Sequence, residues 1–392
     1  MQANEVVIVG AKRSAIGSFG GSLKSLSAVD LGECVLKGLL DSINLDSKLV
    51  EELILGHVLQ AGCGQSSARQ VLLRSEIPQT SGAFSINKVC GSGLKAVELG
   101  FQSIALGDSE VVIAGGIESM SNAPFLSMDT RYGARLGDVK LLDSILKDGL
   151  VCGSCNSHMG ELIEEACKTY NISRDELDGF SAASQTKAIR AIKSGRFVDE
   201  IVPIKIKNKK EEVVFQVDEF AKDTNKDLLL RLKPAFKKDG LITAGNASGI
   251  NDGAAMLALM SGTKAKKLGL KPMAKIKSFG KAGVHPKDYG LGPVEAVKNA
   301  LKKANLNLKD IDLIEANEAF AAQTISVDRE LGFNHDILNV NGGAIALGHP
   351  IGASGARILV TLLYEMEKRD SRYGLATLCI GGGQGIACVV ER

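Results

Sequence analysis

Two cysteines and one histidine lie in glycine-rich segments, where a side chain can approach a substrate closely. Cys90 precedes Gly-Ser-Gly at the predicted start of a helix, His349 lies between a glycine and a proline, and Cys379 lies near the end of an apolar run before three glycines. A thiol at a helix N-terminus faces unpaired N–H groups, and its pKa can fall from ~8.5 into roughly the 3.5–7.5 range. Imidazole is suited to proton transfer near neutral pH. If these groups meet at one site, they favour covalent acyl transfer, with one thiol as nucleophile and a separate proton carrier.

The segment after Cys90 admits two interpretations. If Cys90 is the nucleophile, the glycines of Gly91-Ser-Gly93 remove side chains that would block a substrate carbonyl. The alternative is a cysteine that is merely buried, and the segment alone does not decide between them. For His349 we expect a place on a loop held by its neighbours rather than a role in packing the core.

Alternating strands and helices must position these residues. Apolar periodicity predicts strands at 5–9, 50–59, 110–116, 273–279, 311–315 and 374–383, and helices at 30–43, 90–106, 293–304 and 354–368. Ligand sites in α/β sheets tend to lie beyond the carboxyl ends of strands. We therefore expect the glycine-rich segments to converge at such an edge.

The last third of the chain repeats the order of the first. Cys90-Gly-Ser-Gly-Leu aligns with Gly352-Ala-Ser-Gly-Ala, and Val112-Ile-Ala-Gly-Gly aligns with Leu378-Cys-Ile-Gly-Gly. We interpret these as two copies of one strand–helix unit related by an internal pseudo-two-fold. The residues between the copies, about 120–250, are richer in Lys, Asp and Ser and predict an insertion packed on the duplicated core.

Composition narrows the classes of function. The chain has 392 residues, of which 45% are hydrophobic and 23% are charged, so a core forms without disulfides or metal. Tryptophan is absent, so aromatic stacking on nucleic-acid bases is not indicated. The net charge is +2, which is too small to attract nucleic acid through the overall charge of the protein. No apolar run reaches the ~18–20 residues of a membrane span. We expect a cytoplasmic protein whose cysteines are free thiols, without nucleic-acid or membrane partners.

Two local patterns stand out from this background. Between Lys205 and Lys271 there are 14 Lys/Arg against 8 Asp/Glu, which indicates either a solvated helical face or a rim that attracts a phosphorylated small molecule. Cys152-Gly-Ser-Cys155, with His158 nearby, suggests zinc, but a second Cys/His pair at finger or ribbon spacing is missing from the sequence. We therefore expect no metal.

The segments around Cys90, His349 and Cys379 together resemble the three signatures of the thiolases. Asn246-Ala-Ser-Gly-Ile-Asn-Asp252 and Asn317-Glu-Ala-Phe320 also match, so the resemblance extends over essentially the whole chain. Within the family the sequence most resembles the bacterial biosynthetic acetyl-CoA acetyltransferases, partly through Ser157-His158-Met159-Gly160.

The resemblance implies an α/β fold of two βαβαβαββ halves in a five-layer α-β-α-β-α arrangement with an inserted loop domain. The N-terminal half would comprise residues 1–119, completed by about 252–269. The loop domain, 120–251, would bind coenzyme A. The C-terminal half would comprise residues 270–392.

The resemblance also implies a role for each catalytic residue. Cys90 would attack acetyl-CoA and hold the acetyl group as a thioester, and His349 would activate that thiol. Cys379 would remove the α-proton of a second acetyl-CoA. Asn317 would hold a water that forms one oxyanion hole with His349, and the backbone N–H groups of Cys90 and Gly381 would form the other.

The substrates implied are acetyl-CoA, acetoacetyl-CoA and coenzyme A, with coenzyme A as substrate and product and no separate cofactor. A homotetramer, a dimer of dimers, is the implied assembly. Eight residues would contact coenzyme A: Leu150, His158, Met159, Ala235, Phe236, Ala244, Ser248 and Phe320.

Two departures and two alternatives remain. Relatives often carry Pro-Arg after the pair that is Asp218-Glu219 here, where this chain has Phe220-Ala-Lys222. Relatives also often carry aromatic residues before His158, where this chain has Cys152-Gly-Ser-Cys-Asn156. Both departures put the details of coenzyme A binding in doubt.

One alternative function is a degradative 3-ketoacyl-CoA thiolase that acts on longer chains. The other is a non-catalytic carrier of acyl-CoA or lipid, which we would expect to have lost one of Cys90, His349 or Cys379.

Overall fold

The protein is described by a computed structural model that covers residues 4–207 and 212–392. Lys209, Lys210 and Glu211 of the basic segment lie outside the described residues. Nine strands form the main path of a large mixed sheet: β1 (Val6–Ser14), β2 (Glu52–Gly56), β3 (Gly82–Ile86), β4 (Val111–Ser119), β5 (Asn251–Ser261), β6 (Ala274–Gly283), β7 (Leu313–Ala316), β8 (Tyr373–Ile380) and β9 (Gln384–Glu391).

Eight helices of eight residues or more pack on and around this sheet: α1 (Ala28–Ser42), α2 (Ser67–Arg74), α3 (Ser92–Leu106), α4 (Met159–Thr169), α5 (Arg174–Lys193), α6 (Gly292–Ala304), α7 (Ala321–Leu331) and α8 (Ser354–Arg369). Shorter helices lie at Lys226–Leu229, Gly262–Leu268 and Ala344–Leu347. The insertion also contains short strand pairs, Phe125–Leu126 with Leu142–Asp143, Val151–Cys152 with Ser157–His158, and Ile204–Lys207 with Glu212–Phe215.

The sheet consists of two groups of strands with one short connection. Its order is β7-β8-β9-β6-β1-β5-β4-β2-β3, and two short strands, Gly17–Ser18 and Ile201–Val202, pair with β5 and β1. The two groups join only where β1 meets β6, through Val7 opposite Lys275 and Ile8 opposite Ala274. Each group can therefore carry its own helices.

Side-chain alternation along the strands produces the layers. In β4, Val111 and Ile113 face a core that contains residues of α1, whereas Val112 and Ala114 face a core shared with α3 and α8. In β8, Leu375 faces the core that contains residues of α6. The order is thus α1/α2, first strands, α3/α8, second strands, α6, which confirms the predicted five-layer α/β fold.

Strand β5 shows that the first half is discontinuous in sequence. It follows the insertion, yet it pairs antiparallel with both β1 and β4. All eleven of its residues are buried. The chain therefore leaves the first half after β4, forms the inserted region and returns through the middle of the same sheet.

Element types match the sequence pattern, and the bounds shift by a few residues. Helix α1 begins at Ala28, two residues before its predicted start, because Ser27 caps it and exchanges hydrogen bonds with Asp30. Strand β8 ends at Ile380, before the three glycines that the prediction included. In residues 4–207 and 212–392, none of the helices combines the length and apolar character that crossing a membrane requires.

Candidate active site

Cys90 lies on a strained connection between β3 and α3. Val89 has a φ of 47°, and α3 begins at Ser92 with Gly91 as its N-cap. The thiol therefore precedes the first helical residue by two positions. Its side chain is partly exposed and faces a cavity.

The glycines after Cys90 have a different role from the predicted one. A Cβ on Gly91 would lie 2.4 Å from Ile380 Cδ1, and a Cβ on Gly93 would lie 2.8 Å from the backbone nitrogen of Ala356. Both contacts are with the C-terminal half. These glycines allow the two halves to approach closely, so the expectation that they clear space for a substrate carbonyl is wrong.

The expected lowering of the Cys90 pKa is also wrong. Burial raises the pKa of this thiol to about 11, and the nearby charge of Glu118 acts in the same direction. The backbone N–H groups of Gly381 and of Cys90 itself oppose the shift by pointing at the sulfur. The thiol is thus protonated at neutral pH, and its reactivity depends on a base that takes the proton during attack.

His349 lines the same cavity as Cys90 and is the candidate for that base. Its ring is 5% exposed, and burial together with the charge of Arg357 lowers its pKa to about 3. The hydroxyl of Ser354 donates to the carbonyl of Pro350 at 2.9 Å, so it accepts at 2.5 Å from Nδ1–H of the imidazole. The other ring nitrogen, Nε2, is then unprotonated and free to accept a proton.

The backbone of His349 is held by the other half of the molecule. Its N–H donates to Oδ1 of Asn251 at 2.9 Å, and Asn251 Nδ2 donates to the carbonyl of Gly17. Gly348 has a φ of +107°, and a Cβ there would collide with the Asn251 amide. As expected, His349 lies on a loop fixed by its neighbours.

Cys379 lies at the end of β8 and is 1% exposed. Burial and the neighbouring Cys90 raise its pKa well above the ordinary value. It lines the same cavity as Cys90 and His349, so the structure brings the three predicted groups together. Apolar surroundings destabilise the thiolate, so the deprotonated sulfur of Cys379 is a strong base.

Asn317 meets this group through the imidazole. Its Nδ2 lies 3.5 Å from His349 Nε2, and its Oδ1 is buried and accepts no hydrogen bond from the residues that the structure describes. The backbone N–H of Asn317 donates to Thr377, which fixes it beside β8. An unpaired buried oxygen next to the imidazole suits an ordered water, and the water itself stays a prediction.

The cavity has a volume of about 530 Å³ and contains all eight residues predicted to contact coenzyme A. The rings of His158 and Phe236 stack with centroids 4.7 Å apart, and Phe236 meets Phe320 edge-on at 6.1 Å. His158 Nδ1 accepts the N–H of Gly160, which fixes the ring at the start of α4. Apolar and aromatic side chains thus form most of the wall of the cavity that Cys90 lines.

The basic segment contributes less to this cavity than its charge count suggests. Lys226 pairs with Asp175, and Lys264 with Glu110. Lys222 does line the cavity, and its ammonium lies 5.1 Å from the ring centroid of Phe220. The residues that replace the Pro-Arg pair are therefore part of the site.

Several residues that shape the site were not predicted from the sequence. Ser354 belongs to the repeat that aligns with Cys90-Gly-Ser-Gly, so the repeat itself could have identified it. Glu118 is fully buried and accepts backbone N–H groups from Val58, Leu59 and Gly352, while burial raises its pKa to about 7. It ties the His349 loop to the first half, and the sequence gives no signal for this.

Metal-binding geometry is missing from the described parts of the chain. Across residues 4–207 and 212–392, no group of three or more His, Cys, Asp or Glu side chains could hold an ion. Cys152 and Cys155 lie near each other, but His158 turns its ring toward Phe236. The reactive groups that line the cavity are thiols and an imidazole.

Comparisons with known proteins agree with this geometry. The family model "Thiolase, N-terminal domain" matches residues 6–263, and "Thiolase, C-terminal domain" matches residues 270–392. An acetyl-CoA acetyltransferase of Thiocystis violacea is 55% identical over 392 residues, with all of both chains covered.

Solved structures show the same relationship. A Bacillus anthracis acetyl-CoA acetyltransferase has a TM-score of 0.98 at 44% identity, and human mitochondrial 3-ketoacyl-CoA thiolase has a TM-score of 0.97 at 42% identity. Each comparison covers 100% of both chains. The chain, with its paired thiols and its neutral imidazole, belongs to the thiolase family.

Proposed function

We propose that this protein is an acetyl-CoA C-acetyltransferase. It condenses two molecules of acetyl-CoA to acetoacetyl-CoA and coenzyme A, and it catalyses the reverse thiolysis. The observation that carries the proposal is the convergence of Cys90, His349 and Cys379 on one cavity, with the basic Nε2 of His349 left free by the Ser354 hydrogen bond.

In the first half-reaction, His349 takes the proton of Cys90 as the sulfur attacks the carbonyl carbon of acetyl-CoA. The carbon–sulfur bond to coenzyme A breaks, and the departing thiolate receives that proton from His349. The developing oxyanion lies between the N–H groups of Cys90 and Gly381, which already point at the Cys90 sulfur. The product is an acetyl thioester on Cys90.

In the second half-reaction, the thiolate of Cys379 removes an α-proton from a second acetyl-CoA. The enolate oxygen is stabilised by His349 and by a water held at Asn317. The enolate carbon attacks the acetyl group on Cys90, whose carbon–sulfur bond breaks. Cys379 passes the proton that it took to the departing Cys90 thiolate, which restores the Cys90 thiol and returns Cys379 to the thiolate that began the step.

No separate cofactor takes part in this proposal, because coenzyme A is both substrate and product. The pantetheine arm would lie along the stacked rings of His158, Phe236 and Phe320. Lys222 supplies positive charge at the cavity for the phosphates of the nucleotide end.

The experiment that tests this function is trapping of the intermediate. After incubation with acetyl-CoA and acid quenching, peptide mass spectrometry should show a 42 Da adduct on Cys90, the mass of an acetyl group that replaces a proton. An adduct on Cys152 or Cys155 alone, with condensation intact, would contradict the assignment.

A degradative 3-ketoacyl-CoA thiolase is the second candidate, and the similarity to the human mitochondrial enzyme of that name favours it. Met159 and Phe320, both buried at the reacting groups, favour short chains instead. Thiolysis rates for 3-ketoacyl-CoA substrates of increasing length decide between the two. We expect the rate to be highest with acetoacetyl-CoA and to fall with each added pair of carbons.

The assembly and compartment belong to the same proposal. We propose a cytoplasmic homotetramer, and large apolar side chains exposed on the insertion support association: Phe125, Tyr132, Leu136 and Leu141. Light scattering coupled to size-exclusion chromatography should give four times the chain mass of 41.3 kDa.

A further inference from the structure

Two thiols lie on a hairpin next to the catalytic cavity, and neither takes part in the proposed reaction. Cys152 ends the first strand of the hairpin and is opposite Ser157 in the second. Asn156, with a φ of 49°, reverses the chain and donates its N–H to the carbonyl of Cys152 at 2.7 Å. A tight turn brings Cα atoms three residues apart to within ~7 Å, which is near the ~4.4–6.8 Å that disulfides span.

Both cysteine side chains point to the same side of this hairpin. Cys152 is buried in the apolar cluster that contains Met159 and Phe320, and Cys155 packs against the same cluster while remaining partly exposed. The two thiols influence each other, since Cys152 adds to the effect of burial in raising the pKa of Cys155. Because this pair lacks further metal ligands among residues 4–207 and 212–392, the chemistry open to it is thiol–disulfide exchange.

We propose that Cys152 and Cys155 are a reversible redox site that closes to an intrachain disulfide in the presence of a small-molecule disulfide. The thiolate of Cys155, the more exposed of the two, attacks one sulfur of the small molecule, whose S–S bond breaks and releases one thiol. Cys152 then attacks Cys155 in the mixed disulfide and releases the second thiol. The two protons lost by the cysteines are taken up by the two departing thiolates, and the cysteines are oxidised as the small molecule is reduced.

The position of the hairpin gives this site a consequence, which rests on the proposed function. Its second strand ends at His158, whose ring stacks on Phe236 in the predicted coenzyme A channel. Cys152 also lines a second cavity, of about 570 Å³, that shares Met159 and Gly381 with the catalytic cavity. Closing the disulfide fixes the hairpin before substrate arrives, so less conformational freedom is lost on binding.

The test uses the complete protein in glutathione buffers of decreasing ratio of thiol to disulfide. After free thiols are blocked with iodoacetamide, trypsin releases a peptide of residues 148–168 that contains Cys152, Cys155 and Cys167. The expected peptide has one carbamidomethyl group, on Cys167, and lacks two hydrogens at the other two cysteines. Dithiothreitol should restore three carbamidomethyl groups.

Matched variants control the assignment. Cys155→Ser and Cys152→Ser should each abolish the loss of two hydrogens, and Cys63→Ser, a thiol in another loop, should retain it. Burial raises the pKa of the Cys155 thiol, so exchange should speed up as pH rises from 7 to 9. A peptide with all three cysteines alkylated at the most oxidising ratio would overturn the proposal, and so would a bridge to Cys167.

Kinetics separate this site from the proposed function. In the oxidised protein we expect KM for acetyl-CoA to fall about 3-fold, by comparison with Cys155→Ser treated identically, because any oxidation of Cys90 or Cys379 affects both proteins. An equal KM in the two would overturn the link to coenzyme A binding. Failure to form acetoacetyl-CoA would refute the proposed function and would leave the peptide masses as an independent test of the disulfide.

Discussion

The two halves of this molecule place a serine at the same point and use it differently. Ser92 is the first residue of α3, and Ser354 is the first residue of α8. The Ser92 hydroxyl donates to the carbonyl of Val89 at 2.6 Å and accepts the backbone N–H of Lys88 at 2.8 Å. In the first half the serine therefore closes a turn and holds the loop that bears Cys90.

In the second half the same kind of turn holds an imidazole in place. Ser354 donates to the carbonyl of Pro350, and it accepts from the side chain of His349 instead of from a backbone amide. Duplication thus supplied equivalent turns, and a different donor to the serine hydroxyl turned one of them into the support of a base. The two halves therefore differ in the group that the turn holds, which is the backbone of the Cys90 loop in the first half and the His349 imidazole in the second.

The aligned glycines of the two equivalent strands, Gly115 and Gly381, differ in the same way. A Cβ on Gly115 would lie 2.0 Å from the carbonyl oxygen of Ala255, whereas a Cβ on Gly381 would have its nearest contact at 3.3 Å. The first glycine is required for packing inside the sheet. The second follows the strand end, where its backbone N–H can face the Cys90 sulfur.

The largest expected effect is at the imidazole. His349→Ala should lower the rates of both half-reactions by about 10²–10⁴-fold, because the Cys90 thiol loses the base that takes its proton. Rates of Cys90 acetylation and of acetoacetyl-CoA formation measure this. His335→Ala, at an exposed histidine paired with Asp328, is the matched control and should leave both rates unchanged. Normal turnover of His349→Ala would remove the base from the mechanism.

Cys379→Ser should separate the half-reactions. Acetylation of Cys90 breaks no C–H bond and should continue, whereas condensation and exchange of the acetyl-CoA methyl protons with D2O should fall by about 10²–10⁴-fold. A hydroxyl has a far higher pKa than a thiol at ~8.5 and carries protons poorly. If proton exchange survived in this variant, another group would be the base.

The paired serines test the comparison directly. Ser354→Ala leaves the imidazole Nδ1–H without its acceptor, and we expect kcat to fall about 10-fold with little change in KM. Ser92→Ala leaves the half-buried backbone N–H of Lys88 unpaired and should cost about 1–3 kcal/mol of unfolding free energy. Urea unfolding and steady-state kinetics on both variants measure this. Equal losses of kcat and of stability in the two would show that the turns have the same role.

The contact between the halves depends on glycines from both. A Cβ on Gly93 meets Ala356 N at 2.8 Å, and a Cβ on Gly355 meets Leu94 N at 2.5 Å. Gly93→Ala and Gly355→Ala should each lower the unfolding free energy by about 1–3 kcal/mol, since backbone must move. Gly153→Ala is the control, because a Cβ there meets no described atom within 4 Å. Unchanged melting of both core variants would contradict the tight packing.

The smallest expected effect is the change in the rate of Cys90 alkylation with pH. With a thiol pKa raised to about 11, the thiolate fraction rises tenfold for each pH unit below that value. The rate of iodoacetamide labelling of Cys90 in the free protein should therefore keep rising from pH 7 to 9. A plateau by pH 7.5 would indicate the lowered pKa expected from a helix start alone.

Much of the fold and of the reacting set could be read from the chain. Buried strands of β-branched residues and the repeat of Cys90-Gly-Ser-Gly near Gly352 predicted the duplicated α/β core, because these signals are local or self-similar. Glu118 could not be found this way, since its partners Val58, Leu59 and Gly352 are distant in sequence. The exact start of α1 at Ala28 depended on the capping contacts of Ser27.

The sequence by itself determined which groups can react, since the residue type alone specifies a thiol or an imidazole. Only the tertiary structure decided their protonation. A helix start predicted an acidic Cys90, but burial between the two halves outweighs those N–H groups and keeps the proton on sulfur. Burial likewise keeps His349 neutral, and the Ser354 hydrogen bond leaves Nε2 unprotonated. Desolvation depends on what all the surrounding elements exclude, and no stretch of chain contains that information locally.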